Sequence, residues 1–134
     1  MNEEQHTILF WILAIGCLLL ILLLNVPLRN YVPVIWGLLG VGFHSLLFMK
    51  TWMGLSRQLI EGYKGNLKEL NIRYQDDQFR KTVDMFALFQ EKQTLEKLSR
   101  DIGVQLSFFR TYFQLTLIAF SINIVLGILT VLLT

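Results

Sequence analysis

Residues 32–49 read VPVIWGLLGVGFHSLLFM, an uncharged stretch whose apolar character is broken only at His44 and Ser45. Its 18 residues, at 1.5 Å of rise each, extend about 27 Å, close to the hydrocarbon thickness of a bilayer. Pro33 falls in the first turn, where a missing N–H removes no helical hydrogen bond. The stretch therefore reads as a transmembrane helix, TM2, at about 32–50. Upstream, residues 8–24 (ILFWILAIGCLLLILLL) are 17 consecutive apolar residues, enough for a first span, TM1. Glu3 and Glu4 precede it without any Lys or Arg, and Asn25-Val26-Pro27 follows it. A secretory leader has a basic start and a small-residue cleavage site, so a retained helix is expected instead. The short link 26–31 forces TM1 and TM2 into an antiparallel hairpin. Residues 111–134 carry no charge and form a third span, TM3. Trp11, Tyr31, Trp36, Trp52, Tyr112 and Phe113 fall near the expected boundaries, as interfacial aromatic belts do.

The charge distribution supports this division. Of the 134 residues 54% are hydrophobic and 16% charged, against about 25% charged in a soluble domain. Eleven of the 12 Lys/Arg and eight of the 10 Asp/Glu lie between Lys50 and Arg110. A soluble globular enzyme, a disordered tail and a disulfide-stapled domain are excluded, the last because Cys17 is the single cysteine. What remains is a small polytopic membrane protein: a transmembrane hairpin over 1–50, a charged block over 51–110, and TM3. With three spans the N-terminus and the block share one side, and the TM1–TM2 loop carries only Arg29. The positive-inside rule puts the N-terminus and the block in the cytoplasm and the C-terminus outside, in a membrane that we read as a bacterial inner membrane.

The block reads as helical throughout, giving an all-α fold with a long cytosolic helical hairpin continuous with TM2 and TM3. Leu55, Leu59, Tyr63, Leu67, Leu70 and Tyr74 recur at steps of three or four, which extends TM2 as an amphipathic arm. Asp76-Asp77 reads as a cap or turn and offers the N-cap of a second arm to about Phe109. In that arm Phe79, Val83 and Phe86 form one stripe, and Leu95, Leu98, Ile102, Leu106 and Phe109 form another, with Gln90 and Gln93 as a stutter between them. The second stripe is the expected cytosolic assembly surface. Apolar residues off the seam (Ile60, Ile72, Met85, Leu88, Phe89) point to helices from further subunits. A block lying flat on the headgroups is the competing arrangement, but 11 bases interleaved with eight acids make a poor basic face.

No catalytic constellation is legible, and no enzyme, metal or cofactor is expected. His6 and His44 are separated in sequence by the whole of TM1, Cys17 lies mid-span, and no Asp or Glu lies in a span to carry a proton relay. The block is too nearly balanced in charge for nucleic acid. The informative residues are in the membrane. Gly37, Gly40 and Gly42, with Ser45, make a small-residue strip for close helix packing, and Gly37, Gly40 and His44 share one helical face. His44 and Asn123 both read as near the midplane, where they form either a packing hydrogen bond or a polar path through an oligomer.

The stretch WGLLGVGFHSL (36–46) resembles the Gly-rich, His-containing second helix of small two-helix membrane domains in bacterial proteins. The Gly-to-His spacing here is about a turn shorter and a third span is added, so no family is assigned. The plan of membrane hairpin plus cytosolic helices also resembles membrane-effector modules of bacterial defence systems. The expected function is a small homo-oligomeric channel or pore-type membrane effector, associating with itself through TM2 and the cytosolic helices. The alternative is an accessory or scaffold subunit of a larger membrane complex, or an immunity-type protein that intercepts a membrane toxin.

Overall fold

Glu3 and Glu4 open the first helix, α1 (Glu3–Leu23), placing two carboxylates at the positive end of its dipole. The structure, a computed structural model, describes residues 3–133. It is about 80% helical. Three stretches, Glu3–Leu23, Val26–Gly62 and Arg100–Leu132, are long and apolar enough to cross a membrane. The chain divides into two compact units, one holding the residues up to Leu47 together with those from Thr111 onward, the other Phe48–Arg110.

In the first unit α1 is followed by a short turn of helix, α2 (Val26–Arg29), with Pro27 in its first turn. Then come α3 (Val32–Trp36), a π-helical segment (Gly37–Gly42) and the start of α4 (Phe43–Gly62). The last helix, α8 (Arg100–Leu132), supplies its residues from Thr111 onward. Phe10, Ala14, Cys17 and Ile21, at helical steps of four, three and four, are the buried face of α1. They meet Val32 and Trp36 from α3 and Leu115, Ala119 and Leu126 from α8 in one apolar core. The remaining faces expose Ile12, Ile15, Leu22, Leu38, Leu46 and Ile124 among others, an outer surface suited to lipid and not to water. Arg29 Nη1 donates to Leu133 O at 2.7 Å, placing a cation at the negative end of α8.

Two of the expected belt aromatics lie inside instead. Trp36 is fully buried and Tyr112 is 6% exposed. In lipid an apolar side chain gains little by leaving the hydrocarbon, so close packing and hydrogen bonding decide the inner face. Trp36 supplies both, because its indole fills the core and its Nε1 donates to Ala119 O at 2.9 Å.

The second unit departs further from expectation. α4 continues past the apolar stretch to Gly62, as expected, whereas the helix that runs into the third apolar stretch, α8, begins only at Arg100. Between them both expected helical arms are interrupted, by a short helix, a β-hairpin and two more short helices. α5 (Lys64–Glu69) stops where Asn71 takes a φ of 62°. Ile72 N then bonds to Leu67 O and Asn71 N to Lys68 O, a Schellman closure with both apolar partners, Leu67 and Ile72, buried. Strands β1 (Tyr74–Asp76) and β2 (Lys81–Val83) pair antiparallel, Tyr74 opposite Val83 and Asp76 opposite Lys81.

Asp77 does not cap a helix. Its Oδ1 accepts from the backbone N–H groups of Phe79 (3.0 Å) and Arg80 (2.7 Å) and ties off the hairpin turn. The helical N-cap comes later, at Asp84, whose carboxylate accepts from Phe86 N and opens α6 (Met85–Gln90). α7 (Lys92–Leu95) lies at the expected stutter, and Ser99 Oγ accepts from Ile102 N to cap α8.

The reason for the hairpin is tertiary. Val83 N donates to Ser56 Oγ at 3.1 Å, and Val83 O accepts from Trp52 Nε1 at 2.8 Å. Two side chains of α4 thus occupy both backbone groups of one β2 residue, where an isolated two-stranded hairpin is marginal in water. The expected stripe through Phe79, Val83 and Phe86 is accordingly dissolved: Val83 is buried, while Phe79 and Phe86 are 93% and 77% exposed.

Candidate functional site

The small-residue strip of TM2 divides by position. An ideal Cβ on Gly40 would lie 2.5 Å from Trp36 Cε2, so glycine is what lets the indole one turn earlier fold down along its own helix. Gly37 has open space around it, and Gly42 would meet only Gly37 O, at 3.3 Å. The expected common face of Gly37, Gly40 and His44 is disrupted because residues 37–42 are π-helical. Phe43 N reaches back five residues to Leu38 O, and one extra residue in a turn rotates the succeeding helix by about 100° relative to an unbroken α-helix. Trp36, Gly40 and His44 are buried, whereas Gly37, Gly42 and Ser45 are half-buried.

His44 is 3% exposed, and its Nδ1 lies 2.7 Å from Gly40 O. A carbonyl oxygen only accepts, so Nδ1 carries the hydrogen and Nε2 is left as the acceptor in the neutral ring. Phe10 meets the imidazole edge-on, with centroids 5.1 Å apart, and Phe10 also packs on Trp36 at 5.3 Å. His6, one turn before Phe10, meets Tyr112 edge-on at 5.4 Å. The antiparallel hairpin therefore brings His6 and His44 to the same end of the first unit, although a whole span separates them in sequence. Among the described residues no group of His, Cys, Asp or Glu has the arrangement to hold a metal ion.

His44 and Asn123 are not at one depth. The bond from Trp36 to Ala119 O fixes the level at which TM2 and TM3 pass, and the Arg29–Leu133 bond shows that they run in opposite directions. The indole that makes this bond lies beside Gly40, so from that level His44 is about four residues toward one end and Asn123 four residues toward the other. At 1.5 Å per residue they are about 12 Å apart along the axis, too far to hydrogen-bond within one chain. Asn123 Oδ1 is buried with no hydrogen-bond partner.

Asn123 has companions that the sequence does not single out. Thr116, Asn123 and Thr130 recur every seven residues and so share one face of α8, and all three are half-buried. The two threonines donate back to their own helix, Thr116 to Tyr112 O at 2.7 Å and Thr130 to Leu126 O at 2.8 Å. Their spacing is visible in the sequence, but isolated threonines in an apolar run draw little notice. On another side, α1 and α8 leave an apolar groove of about 410 Å³ lined by Trp11, Ala14, Leu18, Leu117, Ser121 and Val125.

The expected cytosolic assembly stripe is spent inside one chain. Leu95, Ile102, Leu106 and Phe109 are 1% exposed or less, and Leu98 is half-buried. Ile60, Ile72 and Leu88, expected to meet partner helices, are buried as well. The hairpin and the short helices fold back to supply the cover. Phe109 stacks on Phe48 at 4.9 Å and meets Phe89 at 4.8 Å. Gln58 links to Asp101 at 2.7 Å and accepts from Gln105 at 2.7 Å, so α4 and α8 are joined in this unit by polar bonds also.

The chain matches no protein-family model, no curated protein and no solved structure.

Proposed function

We propose that this protein is a small integral membrane protein that works as a homo-oligomeric channel or pore-type membrane effector. It sits in a bacterial inner membrane, with its N-terminus and charged block cytoplasmic and its C-terminus outside. The observation that carries the reading is the orphaned Asn123 carboxamide oxygen on the Thr116–Asn123–Thr130 face of α8. A buried carbonyl oxygen without a donor is costly in hydrocarbon; its own chain encloses it here, so a turn of the Thr116–Asn123–Thr130 face outward on assembly is what would give it a donor from a second copy or a file of water. One chain offers three spans around an apolar core, so a conduit requires several copies with this face turned to the axis. The buried cytosolic stripe moves the self-association surface to the spans.

The experiment is ion flux from liposomes holding the purified protein, with copy number measured by native mass spectrometry. A closed ring that passes ions, and an Asn123→Leu variant that assembles yet does not, are the expected results. Rings that never conduct, or full flux through Asn123→Leu, overturn the reading.

A second reading, an accessory subunit docking on another membrane protein, is favoured by the apolar α1/α8 groove and by His44 being satisfied within its own helix. It predicts a monomer, or a stable complex with a different protein, and no flux.

A further inference from the structure

The face of the second unit between α4 and the β-hairpin has a composition that the channel reading does not use. It is a groove of about 630 Å³ lined on one side by Met49, Met53 and Arg57 and on the other by Phe79, Arg80 and Lys81. Met49, Met53 and Arg57 succeed one another at a step of four along α4, and so lie on one face of that helix. Met49 is the last residue of the apolar stretch before Lys50.

Three cations line the groove against a single acid, Glu61, which is already engaged by Lys81 at 3.2 Å. Arg57 and Arg80 make no ion pair among the described residues, and both are exposed. The Asp77 carboxylate keeps its charge but is turned into the hairpin, where its Oδ1 accepts two backbone N–H groups, and it does not line the groove. Beside the unpaired arginines, Phe79 is 93% exposed and Met53 51% exposed. Solvent-exposed apolar side chains alternating with unpaired guanidinium groups match a ligand that is anionic at one end and apolar at the other. Guanidinium donates two parallel hydrogen bonds to phosphate oxygens, and exposed methionine adapts to an irregular apolar chain.

We propose that this groove seats the headgroup of an anionic phospholipid. Arg57 and Arg80 hold the phosphate, and Met49, Met53 and Phe79 take the first carbons of the acyl chains. The continuity of Met49 with the apolar stretch of its own helix selects a lipid as the occupant, because the groove begins where that helix leaves the hydrocarbon. The inference rests on the membrane reading of the three apolar helices and is independent of conduction.

The test is isothermal titration of the full chain, purified in a neutral maltoside detergent, with short-chain phosphatidylglycerol, short-chain phosphatidylcholine and inorganic phosphate in separate runs. Phosphatidylglycerol is expected to bind saturably, with phosphatidylcholine and inorganic phosphate at least about tenfold weaker. An arginine near an anionic lipid surface is worth about fivefold in affinity, so Arg57→Gln/Arg80→Gln should weaken phosphatidylglycerol by about 25-fold. Arg110→Gln, outside the groove, should leave it unchanged, and Phe79→Ser should weaken binding without altering the preference for the anionic headgroup. Equal binding of the two lipids, phosphate binding as tight as the lipid's, or an unchanged double variant each overturns the proposal. Retention of the protein in membranes after an alkaline wash checks the membrane reading separately.

Discussion

Trp36 and Trp52 each give their indole N–H to a backbone carbonyl, at 2.9 Å and 2.8 Å, but in regions with opposite demands. Trp36 lies in the apolar unit, where helices satisfy their own backbones and the bond to Ala119 O is an addition that sets how TM2 passes TM3. Trp52 lies in the charged unit, where the bond to Val83 O helps to hold a strand that water would otherwise compete for. The apolar unit thus uses tertiary hydrogen bonds to choose a register between helices that would exist anyway. The charged unit uses them to choose which secondary structure exists.

The largest effect that sharpens this contrast is expected from Trp36→Ala. Emptying a fully buried aromatic site costs about 3–5 kcal/mol, and the melting temperature in detergent should fall steeply while helix content below the transition is retained. Loss of helix content at low temperature would instead mean that the apolar helices depend on their packing, which breaks the comparison.

Next in size is Gly40→Ala. Its methyl group would overlap the Trp36 indole, an overpacking cost of about 1–3 kcal/mol. The same substitution on a Trp36→Phe background should cost less than the sum of the two single changes, because the pair is in contact. Additivity would show that Gly40 serves some other neighbour.

Ser56→Ala leaves the Val83 N–H without its acceptor, and an unsatisfied buried donor costs about 1–3 kcal/mol. Hydrogen exchange read by mass spectrometry should show faster exchange confined to residues 72–84, with the apolar helices unaffected. Asp84→Ala removes the cap of α6 and should cost about 1 kcal/mol, measured as earlier loss of protection over Met85–Gln90.

The smallest effect belongs to the exposed Lys64–Asp76 pair, 2.6 Å apart. The hydrogen bond that Lys64 donates holds the Asp76 carboxyl below its ordinary value, and the same bond raises the Lys64 ammonium above its own. Asp76 therefore adds to stability above the ordinary aspartate range, and this is lost as pH falls through its lowered value. Lys64 adds below the ordinary lysine range, and this is lost as pH rises through its raised value. Asp76→Asn should flatten the acid limb of a stability-versus-pH curve slightly, since exposed pairs are screened by solvent.

Much of the apolar unit is legible in the sequence because its signal is local. A run such as 8–24 must be a helix in hydrocarbon whatever lies beside it, and an odd number of such runs divides the loops between two sides. The facing of the runs is less legible. Trp36 reads as a belt residue until Gly40 is seen to open space for it. His44 and Asn123 read as neighbours until the level of Ala119 separates them. Asn123 stands out in its apolar run, but its seven-residue companions Thr116 and Thr130 do not.

In the charged unit the helical periods around Leu55–Leu67 and Leu95–Phe109 are real. Residues 72–83, however, carry neither a proline nor a strong alternation, so beyond the break at Asp76-Asp77 nothing in them marks a pair of strands. Asp77 and Asp84 are both good helix caps by residue type. Only the position of Ser56 and Trp52 on α4 makes the first a hairpin turn and the second the cap.

By itself the sequence determined which segments are apolar, how long they are, that the first two return on each other, and where the charge is concentrated. These features come from the match between a segment and its solvent, a property each residue carries with it. Tertiary structure alone decided the π-helical turn over Gly37–Gly42, the hairpin over Tyr74–Val83, and the burial of Leu95, Ile102, Leu106 and Phe109 within one chain. The hairpin and the buried stripe depend on hydrogen bonds and packing partners many residues away, and no local propensity records which distant partner will arrive.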